Sequence, residues 1–175
     1  MWCRRCGCDG RPEVLASDIV HLVARRGETF ATAESLTGGL VAATVVEVPG
    51  ASAVFRGGLV VYATDLKHAL AGVPEDLLAA RGPVDPDVAL ALAAGARRRC
   101  AADWGLATTG VAGPDPQNGI APGTVYVAVD GPGEGSGGEV LRLEVPGDRA
   151  AVRTESVTRV LRLFADRIEA ASARA

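Results

Sequence analysis

The stretch Thr32-Ala33-Glu34-Ser35-Leu36-Thr37-Gly38-Gly39 constrains the chain most. The β-rich run Thr29-Phe30-Ala31-Thr32 leads into it, and an apolar helical pattern from Leu40 to Val46 follows. The order predicts a strand, a turn with a serine at the bend, and a helix. Turns of this kind leave N–H groups free at the helix start, where the helix dipole favours negative charge. Gly38 and Gly39 allow a ligand close to the backbone. A serine at this position is either a helix cap or a nucleophile.

A length of 175 residues fits one domain. Apolar residues make up 48% but aromatics only 4%, so Ala, Val and Leu must build the core. The net charge of -3 provides no global basic field to recruit nucleic acid. Apolar runs such as Val88 to Ala96 fall far short of the roughly 18 residues of a membrane span. The start, Met1-Trp2-Cys3-Arg4-Arg5, has no apolar segment of a secretory signal, so the protein reads as cytoplasmic and free of membrane. Cys3, Cys6 and Cys8 look like half of a zinc or iron–sulfur site, which needs about four ligands. Cys100 lies far along the chain, and His21 and His68 are the only histidines. The reading is therefore no metal, a disordered Cys-rich tail over residues 1–11, and one domain over residues 12–171.

Val14, Ile19, Leu22 and Val23 give a helical stripe that Gly27 stops, with Ser17 or Asp18 as a possible cap, although Val14 and Leu15 point to an earlier start. Thr29 to Ala33 reads as a strand. Ala53 to Ala63 reads as a second, with Gly57-Gly58 marking a bulge or close backbone contact. Thr64 to Leu70 reads as a short helix, and Pro74 opens another. Asp85-Pro86-Asp87 is a helix start. Trp104 to Thr109, Thr124 to Val129 and Val140 to Val145 read as strands, the last two joined by a hairpin loop over Gly131 to Gly138. Asp148 caps a final helix whose face is Val157, Val160, Leu161, Phe164 and Ile168. Helices alternate with strands first and a β-hairpin follows. That order predicts an α/β fold, a three-layer helix–sheet–helix sandwich with a mixed sheet of about five strands.

Three observations bear on chemistry. No Gly-x-Ser-x-Gly elbow is present, and neither histidine has a motif that would pair it with Ser35. The chain has 18 Lys+Arg, and Lys67 is its one lysine. Lysine can act as a base where arginine cannot, once its pKa falls by roughly 3 units, worth about 4 kcal/mol. A single lysine also follows simply from arginine-rich composition. Second, Arg149 and Arg153 share one face in the first turns of the last helix, where the dipole disfavours cations. That placement suits an anionic ligand such as a phosphate, or two solvated arginines beside Asp148 and Glu155. Third, Thr108-Thr109-Gly110-Val111-Ala112-Gly113-Pro114 leaves a strand end. Ligands of open α/β sheets bind there, and plain surface loops also occur there.

Together these stretches bring a family into view. Ala33-Glu34-Ser35-Leu36-Thr37-Gly38-Gly39 resembles the Ala-Glu-Ser-Cys-Thr-Gly-Gly block of the CinA carboxy-terminal domain family. Val48 to Phe55, Tyr62 to Lys67, Thr109 to Pro114 and Gly123-Thr124-Val125 are similar to its further blocks, in order. The resemblance implies hydrolysis of nicotinamide mononucleotide to nicotinic acid mononucleotide and ammonia, with no metal or other cofactor, by a homo-oligomer. It implies Ser35 as nucleophile and Lys67 as base. Tyr62 would position the base or relay a proton, and Arg149 would contact substrate or tune the lysine. Thr37, Gly38, Gly39, Thr109, Gly110 and Gly113 would line the nucleotide site, with backbone N–H groups from Thr37 to Gly39 holding an oxyanion. The sequence departs from the pattern at Leu36, at Ala63-Thr64 and at Asp85. No amino-terminal CinA domain is seen, which implies a stand-alone form. A Ser–Lys amidase for another amide and a non-catalytic nucleotide-binding module are the rival readings.

Overall fold

Strand β1 (Phe30–Glu34) is buried along its whole length, because it is paired on both edges and covered on both faces. The computed structural model describes residues 11–132 and 138–172. The amino-terminal cysteines Cys3, Cys6 and Cys8 lie outside the described residues, as does most of the expected loop over Gly131 to Gly138. Within the described residues a five-stranded sheet has the order β2-β1-β3-β4-β5. Here β2 is Phe55–Val60, β3 Trp104–Gly110, β4 Thr124–Asp130 and β5 Glu139–Glu144. β1 pairs parallel with β2 and β3, and the β3-β4-β5 pairings are antiparallel, so the sheet is mixed.

Helices cover both faces. α1 (Pro12–Arg26), α2 (Leu40–Val46) and α6 (Arg149–Ser172) pack on one. α3 (Thr64–Ala69), α4 (Glu75–Arg81) and α5 (Pro86–Arg99) pack on the other. The scarce aromatics concentrate on the first face. There Phe164 meets Phe30 and Trp104 with ring centroids 5.2 and 5.6 Å apart, edge contacts that each add about 1 kcal/mol beyond area burial. The second face is lined by Ala31, Ala33, Ala107 and Ala128, and α5 sits close against it. A Cβ on Gly105 would stand 2.0 Å from the Ala93 carbonyl oxygen, so only glycine admits the helix at this distance.

Local signals mostly hold. Gly27 ends α1 with φ 66°, and the Asp85 carboxylate accepts the Asp87 N–H at 2.8 Å. Asp148 likewise accepts the Ala151 N–H at 2.8 Å. The register shifts opposite Arg56, and a Cβ on Gly58 would lie 2.4 Å from Thr32 Oγ1, so the Gly57-Gly58 pair marks both a bulge and a close approach. Two boundaries differ from the sequence reading. α1 begins at Pro12, which occupies a first-turn position where no N–H is needed, and Ser17 and Asp18 are interior. β2 is shorter than Ala53 to Ala63: Ala51–Ala53 form a 3-10 turn, and Val61 onward runs past the end of β1.

The chain leaves β1 for β2 on one side and returns to β3 on the other. The carboxyl ends of β1 and β3 therefore flank a topological switch point, where open α/β sheets form crevices.

Candidate active site

Alternation along β1 sends Ala31 and Ala33 toward α5, and Ser35, the next residue of that parity, opens onto the same side. Its N–H donates to the Thr108 carbonyl at 3.0 Å, which pins the bend to β3. α3 brings Lys67 beneath it. Lys67 is 1% exposed and its Nζ lies 3.0 Å from Ser35 Oγ. The same nitrogen donates to the Val61 carbonyl at 2.8 Å and to the Tyr62 carbonyl at 3.4 Å. Among the described residues no carboxylate pairs with it. Burial alone thus lowers the amine from its ordinary value to about 8.

Three acceptors around an ammonium satisfy its three hydrogens. A neutral amine has two hydrogens and a lone pair. The two carbonyls then take the hydrogens, and the lone pair faces the hydroxyl, which is the arrangement a general base needs. A Lys67-dependent activity should therefore rise with pH through about 8. Below pH 7 it should drop about tenfold per unit in kcat/KM. A flat profile from pH 6 to 9 would remove the lysine from that role.

The serine loop is braced from behind. Glu34 has the opposite parity to Ser35 and points to the α2 face. Its carboxylate, 1% exposed, accepts the N–H groups of Gly39 and Val41 at 3.0 Å and of Ala42 at 2.8 Å. Gly38 donates its N–H to the Ser35 carbonyl at 3.1 Å. So the start of α2 is already capped by an anion, and the expected free N–H groups at Gly38 and Gly39 are not free. Those glycines supply left-handed backbone, φ 59° and 94°, that turns the chain into the helix. Thr37 is buried and shares a 2.7 Å hydrogen bond with Thr108 Oγ1. Arg153 also departs from expectation. Its guanidinium donates to the Leu36 and Thr37 carbonyls at 3.1 and 2.7 Å, so it clamps the loop and is not directed at an anion.

Ser35 and Lys67 lie in a cleft of about 180 Å³ together with Tyr62, Thr109, Gly110, Gly113 and Arg149. Thr37, Gly38 and Gly39 do not line it. Thr109 is engaged with the Pro83 carbonyl at 2.6 Å and shapes the wall. Arg149 spans the mouth, donating to the Gly113 carbonyl and to the Tyr62 hydroxyl, both at 3.0 Å. Tyr62 touches the lysine through its carbonyl, while its half-exposed ring serves Arg149. The sequence reading missed Thr64, Pro83, Val84, Asp115 and Gln117, all of which line the cleft. Leu36, Ala112 and Gly113 also line it, and their main-chain N–H groups have no acceptor among the described residues. No described helix is long and apolar enough to cross a membrane.

Comparison with known proteins bears on the family and the fold. A CinA-like protein of Frankia casuarinae is 48% identical over 155 residues, covering 88% of this chain and 35% of that protein. One from Anaeromyxobacter sp. strain Fw109-5 is 49% identical over 153 residues, covering 87% and 37%. The chain therefore spans a little over a third of the length of these relatives. Among solved structures, the competence/damage inducible protein CihA from Agrobacterium tumefaciens superposes with a TM-score of 0.83 at 31% identity, covering 89% of this chain and 94% of that one. A CinA superfamily protein from Enterobacter cloacae gives 0.87 at 26% identity, covering 96% and 98%. A family model of the CinA C-terminal domain matches residues 12–168, and the chain belongs to that family.

Proposed function

We propose that the protein hydrolyses the carboxamide of nicotinamide mononucleotide to nicotinic acid mononucleotide and ammonia. The observation that carries this reading is the buried, uncountered Lys67 amine 3.0 Å from Ser35 Oγ, in a cleft with a guanidinium at its mouth. Neutral Lys67 takes the Ser35 proton as Oγ bonds to the carboxamide carbon. The carbonyl π pair moves to oxygen, and the N–H groups of Leu36, Ala112 and Gly113 are the donors available to that oxyanion. One such donor is worth about 3 kcal/mol of barrier. The lysine ammonium returns its proton to the leaving nitrogen, the C–N bond breaks, and ammonia departs. Water then adds to the acyl-serine, giving its proton to Lys67, and collapse frees the carboxylate and restores the hydroxyl. Written this way, the reaction calls for no cofactor. Arg149 spends one N–H on Gly113 and one on Tyr62, which leaves donors for a phosphate. Family resemblance also supports a homo-oligomer, which light scattering on a sizing column reads directly.

The test is ammonia release from nicotinamide mononucleotide, with nicotinamide and nicotinamide riboside as phosphate-free controls. The expected result is turnover of the mononucleotide, poor turnover of both controls, and loss of about 10³-fold or more in a folded Ser35→Ala variant. Release by Ser35→Ala at the parent rate would refute the nucleophile. No release from any of the three compounds would refute the reaction.

A further inference from the structure

One charged group of the cleft has no part in the chemistry above. Asp115 lines the same cavity as Ser35, Lys67 and Arg149 and is its only carboxylate among the described residues. It makes no hydrogen bond or ion pair with any described residue, including Arg149. Yet the segment that carries it is held. Asp115 sits between Pro114 and Pro116, whose rings fix φ on both sides of it. Just beyond, Gln117 and Ile120 exchange N–H···O bonds of 3.1 and 2.9 Å. Asn118 and Gly119 have φ of 50° and 78°, the two positive values of a type I′ turn. Asp115 is therefore an exposed carboxylate at the rim of the cleft, on a loop whose backbone is held in place and with no described side chain to neutralise it.

The cleft is consequently bipolar. Arg149 presents positive charge at the mouth, Asp115 presents negative charge, and Lys67, whose amine titrates near 8, adds none once it is deprotonated above that pH. We infer that Asp115 selects substrates whose ring bears a positive charge, an inference that rests on the amidase reading. The nicotinamide of a mononucleotide is N-alkylated and cationic, and its phosphate is anionic, so the zwitterion matches both signs. A unit positive charge held about 7 Å from the carboxylate serves as the working distance for a ring in the cleft. At that distance and an effective dielectric constant of about 20 to 40, the attraction amounts to roughly tenfold or more in affinity.

Calorimetric titration of the full chain carrying Ser35→Ala tests this, with and without Asp115→Asn. The two probes are nicotinamide mononucleotide and its reduced form, which keeps the phosphate but has a neutral ring. The expected result is that Asp115→Asn weakens the oxidised probe about tenfold and leaves the reduced probe within about twofold. Unchanged binding of the reduced probe also shows that the variant is folded. Equal weakening of both probes would make Asp115 a scaffold residue, and no weakening would make it a bystander; either overturns the inference alone. Absence of any mononucleotide binding to the Ser35→Ala chain would overturn the amidase reading with it.

Discussion

Lys67→Met is expected to lose about 10⁴-fold in amide hydrolysis while changing the pH dependence of stability in a defined direction. The activity loss follows from removing the base that holds the Ser35 hydroxyl at 3.0 Å. The stability change follows from linkage. The folded amine titrates near 8 and the unfolded one near 10.4, so the unfolded chain binds more protons between these values. Stability of the parent therefore rises as pH climbs from about 8 to about 10.5, and below 8 the full penalty is present. The shift is worth about 3 kcal/mol, consistent with a side chain 1% exposed and without a counter-ion. Methionine has similar length and nothing to titrate. It removes the penalty but leaves the Val61 carbonyl without its donor, a loss of about 1 to 3 kcal/mol. The variant should then match or slightly exceed the parent at pH 7 and fall behind it by about 3 kcal/mol more at pH 10.5 than at pH 7. Urea unfolding at both pH values measures the difference. A gap independent of pH would mean that the amine is not depressed, and with it the argument for a base at neutral pH.

How much of this was legible in the sequence depends on the kind of signal. The three layers follow from periodicity, since the β1 parity and the α6 stripe each need a packed partner. The Ser35–Lys67 pair was legible because the lysine is single and sits within a recognisable block. The capping of α2 was not, because a helix start after Gly38-Gly39 looks vacant when read locally. The group that fills it, Glu34, lies five residues before Gly39 and across a turn. Strand parity held the missing signal: a residue adjacent to Ser35 must face the opposite side, under α2. Arg149 and Arg153 show a similar limit. Equal spacing on one face said that both arginines look toward the loop region. One helical turn then decides that the first reaches the cleft and the second reaches two carbonyls. The Asn118-Gly119 hairpin was written in the sequence as a turn dipeptide but was hidden in a longer Gly/Pro-rich loop.

Glu34→Ala should be the most destabilising single change around the site. It strips the acceptor from three N–H groups at once, those of Gly39, Val41 and Ala42. Each buried donor left without a partner costs about 1 to 3 kcal/mol, and Val41 lies in the core, where water is least able to replace the carboxylate. The anion also opposes the positive end of the α2 dipole, so its loss removes charge–dipole attraction as well. A total of about 4 kcal/mol is a large share of the 5 to 15 kcal/mol that holds a domain together. For a chain of this size it corresponds to a fall in Tm of about 10 °C. Glu34→Gln keeps one acceptor oxygen but turns an NH2 group toward the same donors, and should fall between the two at about 2 kcal/mol. Because Ser35 follows Glu34 directly, both variants should also lower kcat at temperatures where they remain folded, with Ala the slower. Thermal unfolding within 2 °C of the parent for Glu34→Ala would show that the loop does not depend on this carboxylate, and that the serine is positioned by its own bond to the Thr108 carbonyl, by Arg153 and by the Thr37–Thr108 contact.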